Sequence, residues 1–128
     1  MRVLLDTHVF LWWLDGDRRL TRRPRALGAD HAVEILVSAG SAWEIATKAR
    51  TGRLPGALEV AADIGGIIRS QGFGTLDITV AHAQRAGSRA DEHRDPFNRI
   101  LAAQALAEDI PIVSADTVFD RFGVARLW

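Results

Sequence analysis

At 128 residues the chain has the length of one ordinary domain and can bury a core without disulfides or a structural metal. It has no cysteine, which excludes thiol nucleophiles, disulfide frameworks and Cys-ligated zinc, and a reducing cytoplasmic setting is the expectation. Its net charge is zero, which argues against a domain that grips nucleic acid by an overall positive field, so any such contact must be local.

Arg2-Val-Leu-Leu-Asp6 reads as a short buried strand, and Val9, Phe10, Trp12 and Trp13 predict a helix that starts almost at once. The apolar run before Asp6 is too short for a secretory signal, and no segment approaches the roughly 20 apolar residues of a membrane span. A soluble, unanchored protein is expected. A short helix is predicted around Pro24 to His31, a buried strand over Glu34-Ile-Leu-Val-Ser38, and a helix from about Ser41 to Arg50. Gly52-Arg-Leu-Pro-Gly56 is a turn by composition, and Leu58, Ala61, Ala62, Ile64 and Ile68 give Ala57 to Ser70 the spacing of one helix. Thr75 to Ile78 is a third strand, Val80 to Ala86 a helix, Gly87 to Arg94 a polar loop and Pro96 to Glu108 a strong helix. Ile110 to Ser114 is a fourth strand, Thr117 to Phe122 a short helix and Val124 to Trp128 an edge strand. Strands that alternate with helices predict an α/β fold, a mainly parallel sheet covered on both faces. Residues 1–128 show no internal repeat, linker or low-complexity segment and read as a single domain.

Ligands of open α/β sheets bind beyond the carboxyl ends of the strands, so acids placed there carry the functional information. Asp6 closes the first strand, Glu44 lies in the first turn after the second, Asp95 opens the long helix, and Asp116 follows the fourth strand. Each has a second reading. Ser41-x-x-Glu44 matches a capping box, Asp95-Pro96 is an N-cap with the favoured proline, and Asp6 and Asp116 precede helices. Capping does not explain why several carboxylates fall on one rim, where they repel unless a cation neutralises them. Hard oxygen ligands suit Mg²⁺ or Mn²⁺, and a metal beside helix N-termini suits phosphodiester hydrolysis.

The sequence resembles the PIN-domain nucleases and, more narrowly, the VapC-type ribonuclease toxins of bacterial toxin–antitoxin pairs. The resemblance rests on Leu4-Leu-Asp-Thr-His8 with Trp12-Trp13, on Ser38 to Lys48 with Gly52-Arg-Leu54, on His93-Arg-Asp-Pro-Phe-Asn-Arg99, and on Ser114-Ala-Asp116 with Phe122-Gly-Val124. It implies a three-layer α/β/α sandwich and an endoribonuclease using Mg²⁺ or Mn²⁺, with RNA as substrate, a small cognate antitoxin as partner and a homodimer as assembly. Carried over by motif, Asp6, Glu44, Asp95 and Asp116 are the catalytic and metal-holding acids, while Thr7 and Ser114 orient them. Thr7 and Ser114 read equally well as helix or turn hydrogen-bonders. The third motif departs from the family pattern, because position 98 is Asn where the family has Asp. Asn98 shares a helix face with Asp95 and offers a neutral oxygen. Either Asp95 carries the ligand role and activity persists, which the reading favours, or the domain has lost catalysis and serves as a protein- or RNA-binding module.

Asp120 is a further acid near the site or a solvent-facing one. Arg94 and Arg99 are RNA contacts or local stabilisers, and His93 approaches RNA or steadies its loop. His8, His31, His82 and His93 lack zinc spacing and take ordinary surface or core roles. Arg18, Arg19, Arg22, Arg23 and Arg25 form a basic cluster suited to RNA phosphates or an acidic antitoxin segment, or simply a solvated face. Trp12, Trp13 and Trp43 read as core or interface residues rather than base-stacking platforms. A receiver or aspartyl-phosphate enzyme would want a second acid at position 8, which is His, and no dinucleotide or P-loop fingerprint occurs.

Overall fold

Successive side chains of a strand face opposite sides of its sheet, and in the runs Val3-Leu-Leu5, Ile35-Leu-Val37 and Ile112-Val113 both sets are apolar and buried. A computed structural model of the protein describes residues 1–54, 57–89 and 95–128. In chain order its elements are β1 (Arg2–Leu5), α1 (Thr7–Asp15), α2 (Arg22–Ala29), β2 (Glu34–Ser38), α3 (Ala39–Arg50), α4 (Ala57–Ala61) and α5 (Ile64–Ser70). They continue as β3 (Gly74–Leu76), α6 (Val80–Ser88), α7 (Pro96–Glu108), β4 (Ile112–Val113), α8 (Val118–Arg121) and β5 (Arg126–Leu127). The strands lie in the order β3-β2-β1-β4-β5, every pair parallel. Val3, Leu5, Ile35, Val37 and Val113 pack on one face against Val9 and Phe10 of α1, Ile45 of α3 and Ile68 of α5. Leu4, Leu36, Leu76 and Ile112 pack on the other against Leu101, Ala102 and Ala105 of α7 and Phe119 of α8. Helix α6 packs on α7. The expected three-layer α/β/α sandwich is the observed one, and no helix among the described residues is long and apolar enough to cross a membrane.

Three local expectations are corrected. The single helix predicted over Ala57 to Ser70 is two, because Asp63 accepts a hydrogen bond from Gly66 N at 3.1 Å and starts a new helix at Ile64. The third helix begins at Ala39, where Ser38 Oγ accepts from Gly40 N at 2.9 Å. Ser41 is therefore inside the helix rather than a cap, and Glu44 sits a turn later than predicted. Helix α6 runs on to Ser88 rather than stopping at Ala86. The part of the predicted turn at Pro55 and Gly56, and the part of the polar loop at 90–94 that includes His93 and Arg94, lie outside the described residues.

One buried side chain ties three elements together beside the site. Gln104 of α7, fully buried, accepts from Ser38 Oγ at 2.5 Å and donates through Nε2 to Asp77 O at 3.2 Å and more weakly to Leu76 O at 3.5 Å. Replacing it with an apolar group strands those partners in a dry core, where each unsatisfied group costs about 1–3 kcal/mol. Gln104→Leu is expected to lower unfolding stability by about 3 kcal/mol in urea denaturation, with an unchanged m-value.

Candidate active site

From β1 the chain builds outward through β2 to β3 on one side of the sheet, and later through β4 to β5 on the other, so the strand order reverses between β1 and β4. Open parallel sheets leave a crevice at such a point, beyond the carboxyl ends of the strands. Asp6 follows β1 there, and Ser114 and Asp116 follow β4. Asp6, Asp95, Asn98 and Asp116 line one concavity of about 270 Å³ with His8, Val9, Trp12 and Ala115.

Asp6 is the most buried of the polar groups there, only 6% exposed. Its backbone takes the N-cap position of α1, but its side chain makes no capping bond. It accepts instead from Ser114 Oγ at 2.7 Å, and Ser114 Oγ in turn accepts from Asp116 N at 2.9 Å. One hydroxyl thus positions both acids. Burial pushes the Asp6 carboxyl above its ordinary range, and nearby Glu44 and Asp116 push it the same way; the Ser114 bond and the nearby His8 oppose them.

Asp95 is the N-cap of α7, and Asp116 stands one residue before Thr117, the N-cap of α8. Asp95 Oδ1 accepts from Phe97 N at 2.9 Å and Asn98 N at 3.4 Å, and Asp116 Oδ1 accepts from Val118 N at 2.9 Å. Each of these bonds to a helix N–H uses Oδ1 of its acid, and both residues also line the concavity.

Glu44 stands apart from the concavity lining. It is 3% exposed and pairs with Lys48 Nζ at 2.5 Å, one turn on along α3. Its charge nonetheless reaches Asp6. Lys48 is not among the site residues expected from the sequence, although Glu44 and Lys48 have the i,i+4 spacing that brings opposite charges together on a helix. Thr7 donates to Ser41 Oγ at 2.8 Å and so ties α1 to α3. Asp120 is engaged by Arg126 at 3.0 and 3.3 Å, outside the concavity. Arg99 donates to Ala86 O and to Arg89 O, both at 2.7 Å, and closes the end of α6.

Two residues expected in ordinary surface, core or interface roles, His8 and Trp12, line the concavity. His8 is exposed, Trp12 is half-buried, and both face the concavity from α1. Trp13 instead packs tilted on Phe73 and donates to Gln71 Oε1 at 3.0 Å, while Trp43 is 59% exposed and meets Phe97 edge-on.

Among the described residues no three His, Asp or Glu side chains converge as a ready metal cage. The donor set is of the open kind that suits Mg²⁺, which is held through one or two carboxylates and keeps waters and substrate oxygens as its remaining ligands. Buried Asp6 beside like charges fits such an ion.

Fold and crevice define an all-parallel α/β protein with an acidic site at the end of its central strand. The PIN domain family matches residues 3–125, and the chain belongs to that family, whose members are generally nucleases that use divalent metal ions. Comparison with curated proteins finds no match. The fold is similar to that of VapBC2 from Rickettsia felis bound to a promoter DNA fragment, at 13% identity and TM-score 0.70 over 99% of this chain and 98% of that one. It is also similar to a toxin–antitoxin complex from Klebsiella pneumoniae (18%, 0.63, 90% and 87%) and to FitAcB from Neisseria gonorrhoeae (18%, 0.63, 98% and 96%).

With its folded pKa above the unfolded value, Asp6 keeps its proton longer in the folded state. Metal-free stability therefore falls as pH rises from the ordinary value of 3.8 through the raised one, then levels. In EDTA, Asp6→Asn is expected to remove this fall and to melt a few degrees, roughly 3 °C, above the wild type at pH 7. Melting curves between about pH 4 and pH 8 check it.

Proposed function

We propose that this PIN-domain chain is a Mg²⁺- or Mn²⁺-dependent endoribonuclease that acts as the toxin of a cytoplasmic toxin–antitoxin pair, held in check by a small cognate antitoxin. The observation that carries the reading is buried Asp6, fixed by Ser114 and sharing one concavity with Asp95, Asn98 and Asp116. The toxin–antitoxin complexes among the similar folds support the partner. A homodimer belongs to the same proposal, supported by the exposed apolar surface at Trp43 and Ile78.

A divalent cation in the crevice supplies Lewis acidity and a water activated for attack on phosphorus. Asp6, Asp95 and Asp116 are the residues to hold it, with Asn98 contributing a neutral oxygen. Glu44, paired with Lys48, adds negative potential at Asp6. Ser114 keeps Asp6 and the Asp116 backbone in register. Hydrolysis breaks the bond from phosphorus to the leaving ribose oxygen, and the protons of the water pass to that oxygen and to solvent.

Asn98 in the lining favours a second reading, a binding module with weak or no catalysis, since a neutral side chain takes the place of an acid.

Purified protein is expected to cleave RNA with Mg²⁺ or Mn²⁺, to stop in EDTA and to be inactive as Asp6→Asn. Ser114→Ala should retain activity reduced about 10–100-fold, as for other residues that orient a metal ligand. A wild type inert with both metals across several RNAs contradicts the proposal. If Asn98→Asp then creates activity, the binding module is the correct reading.

A further inference from the structure

The acids around the crevice differ in the company they keep. Among the described residues no arginine or lysine pairs with Asp6, Asp95 or Asp116. Glu44 is the exception. It is 3% exposed, lies outside the lining of the concavity, and meets Lys48 Nζ at 2.5 Å. The ammonium is held by more than its acid. The Lys48 side chain is only 26% exposed, and Nζ lies 6.0 Å from the centroid of the Phe97 ring, in the first turn of α7. Position 98 subtracts a further charge, since Asn98 lines the concavity with a neutral side chain.

Charge decides how many divalent ions such a crevice keeps. When ionised, Asp6, Asp95 and Asp116 carry three negative charges, and Glu44 with Lys48 carries none. One divalent ion leaves a single negative charge. A second would make the crevice positive and oblige two ions about 3.5–4 Å apart to share three carboxylates. With a fourth acid at position 98 the same crevice would balance two. We propose that Lys48 is the built-in counter-ion of this site: it withdraws Glu44 from the metal-holding set and, together with the neutral side chain of Asn98, limits the crevice to a single divalent ion. Lys48 acts through Glu44 and is a positioning residue. The inference rests on the metal-nuclease reading above and assigns the residues that set its metal count.

The test is Mn²⁺ binding to the metal-free protein without RNA, read by electron paramagnetic resonance, in which the signal of hydrated Mn²⁺ counts the ions left free. The proteins are wild type, Asp6→Asn, Lys48→Met, Asn98→Asp and the paired variant that joins Glu44→Gln to Lys48→Met. Wild type is expected to take one ion per chain and Asn98→Asp two. Lys48→Met should bind its first ion about tenfold more tightly, the scale of one unit charge acting on a divalent ion through a watery medium. The paired variant loses an acid, yet it should bind one ion with a Kd within about threefold of wild type, because the two charges it deletes offset each other. It keeps the test open if Lys48→Met, which leaves Glu44 buried and unpaired, fails to fold.

Two ions on the wild type, one ion on Asn98→Asp, an unmoved Kd in folded Lys48→Met, or a paired variant weakened beyond that threefold overturns the counter-ion and leaves the metal site standing. No Mn²⁺ on the wild type, or binding that Asp6→Asn does not weaken, overturns both.

Discussion

A carboxylate held almost out of water is the constraint around which this molecule is arranged. Asp6 ends the central strand of the sheet, is 6% exposed, and has Glu44 and Asp116 close enough to raise its pKa further. A buried charge without full compensation costs on the order of several kcal/mol. The Ser114 hydroxyl satisfies one oxygen but neutralises nothing. Nor is the group an ordinary cap, since α1 receives no bond from it. In the function proposed above, a divalent cation is what compensates it.

The remaining polar interior is tied off around this point. Ser114 links the end of β4 to Asp6, Thr7 links α1 to Ser41 of α3, and Ser38 links β2 to Gln104 of α7. Among the described residues no buried side-chain nitrogen or oxygen lacks a partner. Glu44 has Lys48. Uncompensated negative charge is thereby concentrated in the crevice at Asp6, while the scaffold that aims it is satisfied and rigid. The parallel sheet contributes by topology, because reversing the strand order between β1 and β4 opens the crevice where Asp6 and Asp116 emerge.

Much of this was legible in the residues. Val-Leu-Leu before Asp6 and Ile-Leu-Val before Ser38 are apolar at every position, the mark of strands buried on both faces, and their acids and hydroxyls fall at the strand ends. Asp95-Pro96 announced its helix start. What periodicity could not give was side-chain direction. Ala57 to Ser70 has one continuous helical spacing, but the Asp63 cap divides it in two. Ser41 and Glu44 have capping-box spacing, yet Ser38 takes the cap and frees Ser41 for Thr7. Trp12 and Trp13 are neighbours in sequence, but a helix turns about 100° per residue, so one faces the crevice and the other Phe73. Asp120 has the same charge as Asp116 and no place in the concavity, because Arg126 holds it on another side.

If the crevice is built to receive a cation, the metal must stabilise the folded protein through Asp6 whether or not RNA is present. The most direct measurement is therefore the melting temperature of wild type and Asp6→Asn as Mn²⁺ is added at neutral pH. At roughly a hundredfold excess over its Kd, the ion should raise the wild-type value by about 10 °C, with Asp6→Asn nearly unmoved. An equal response of the two proteins, or none from the wild type, would contradict the account.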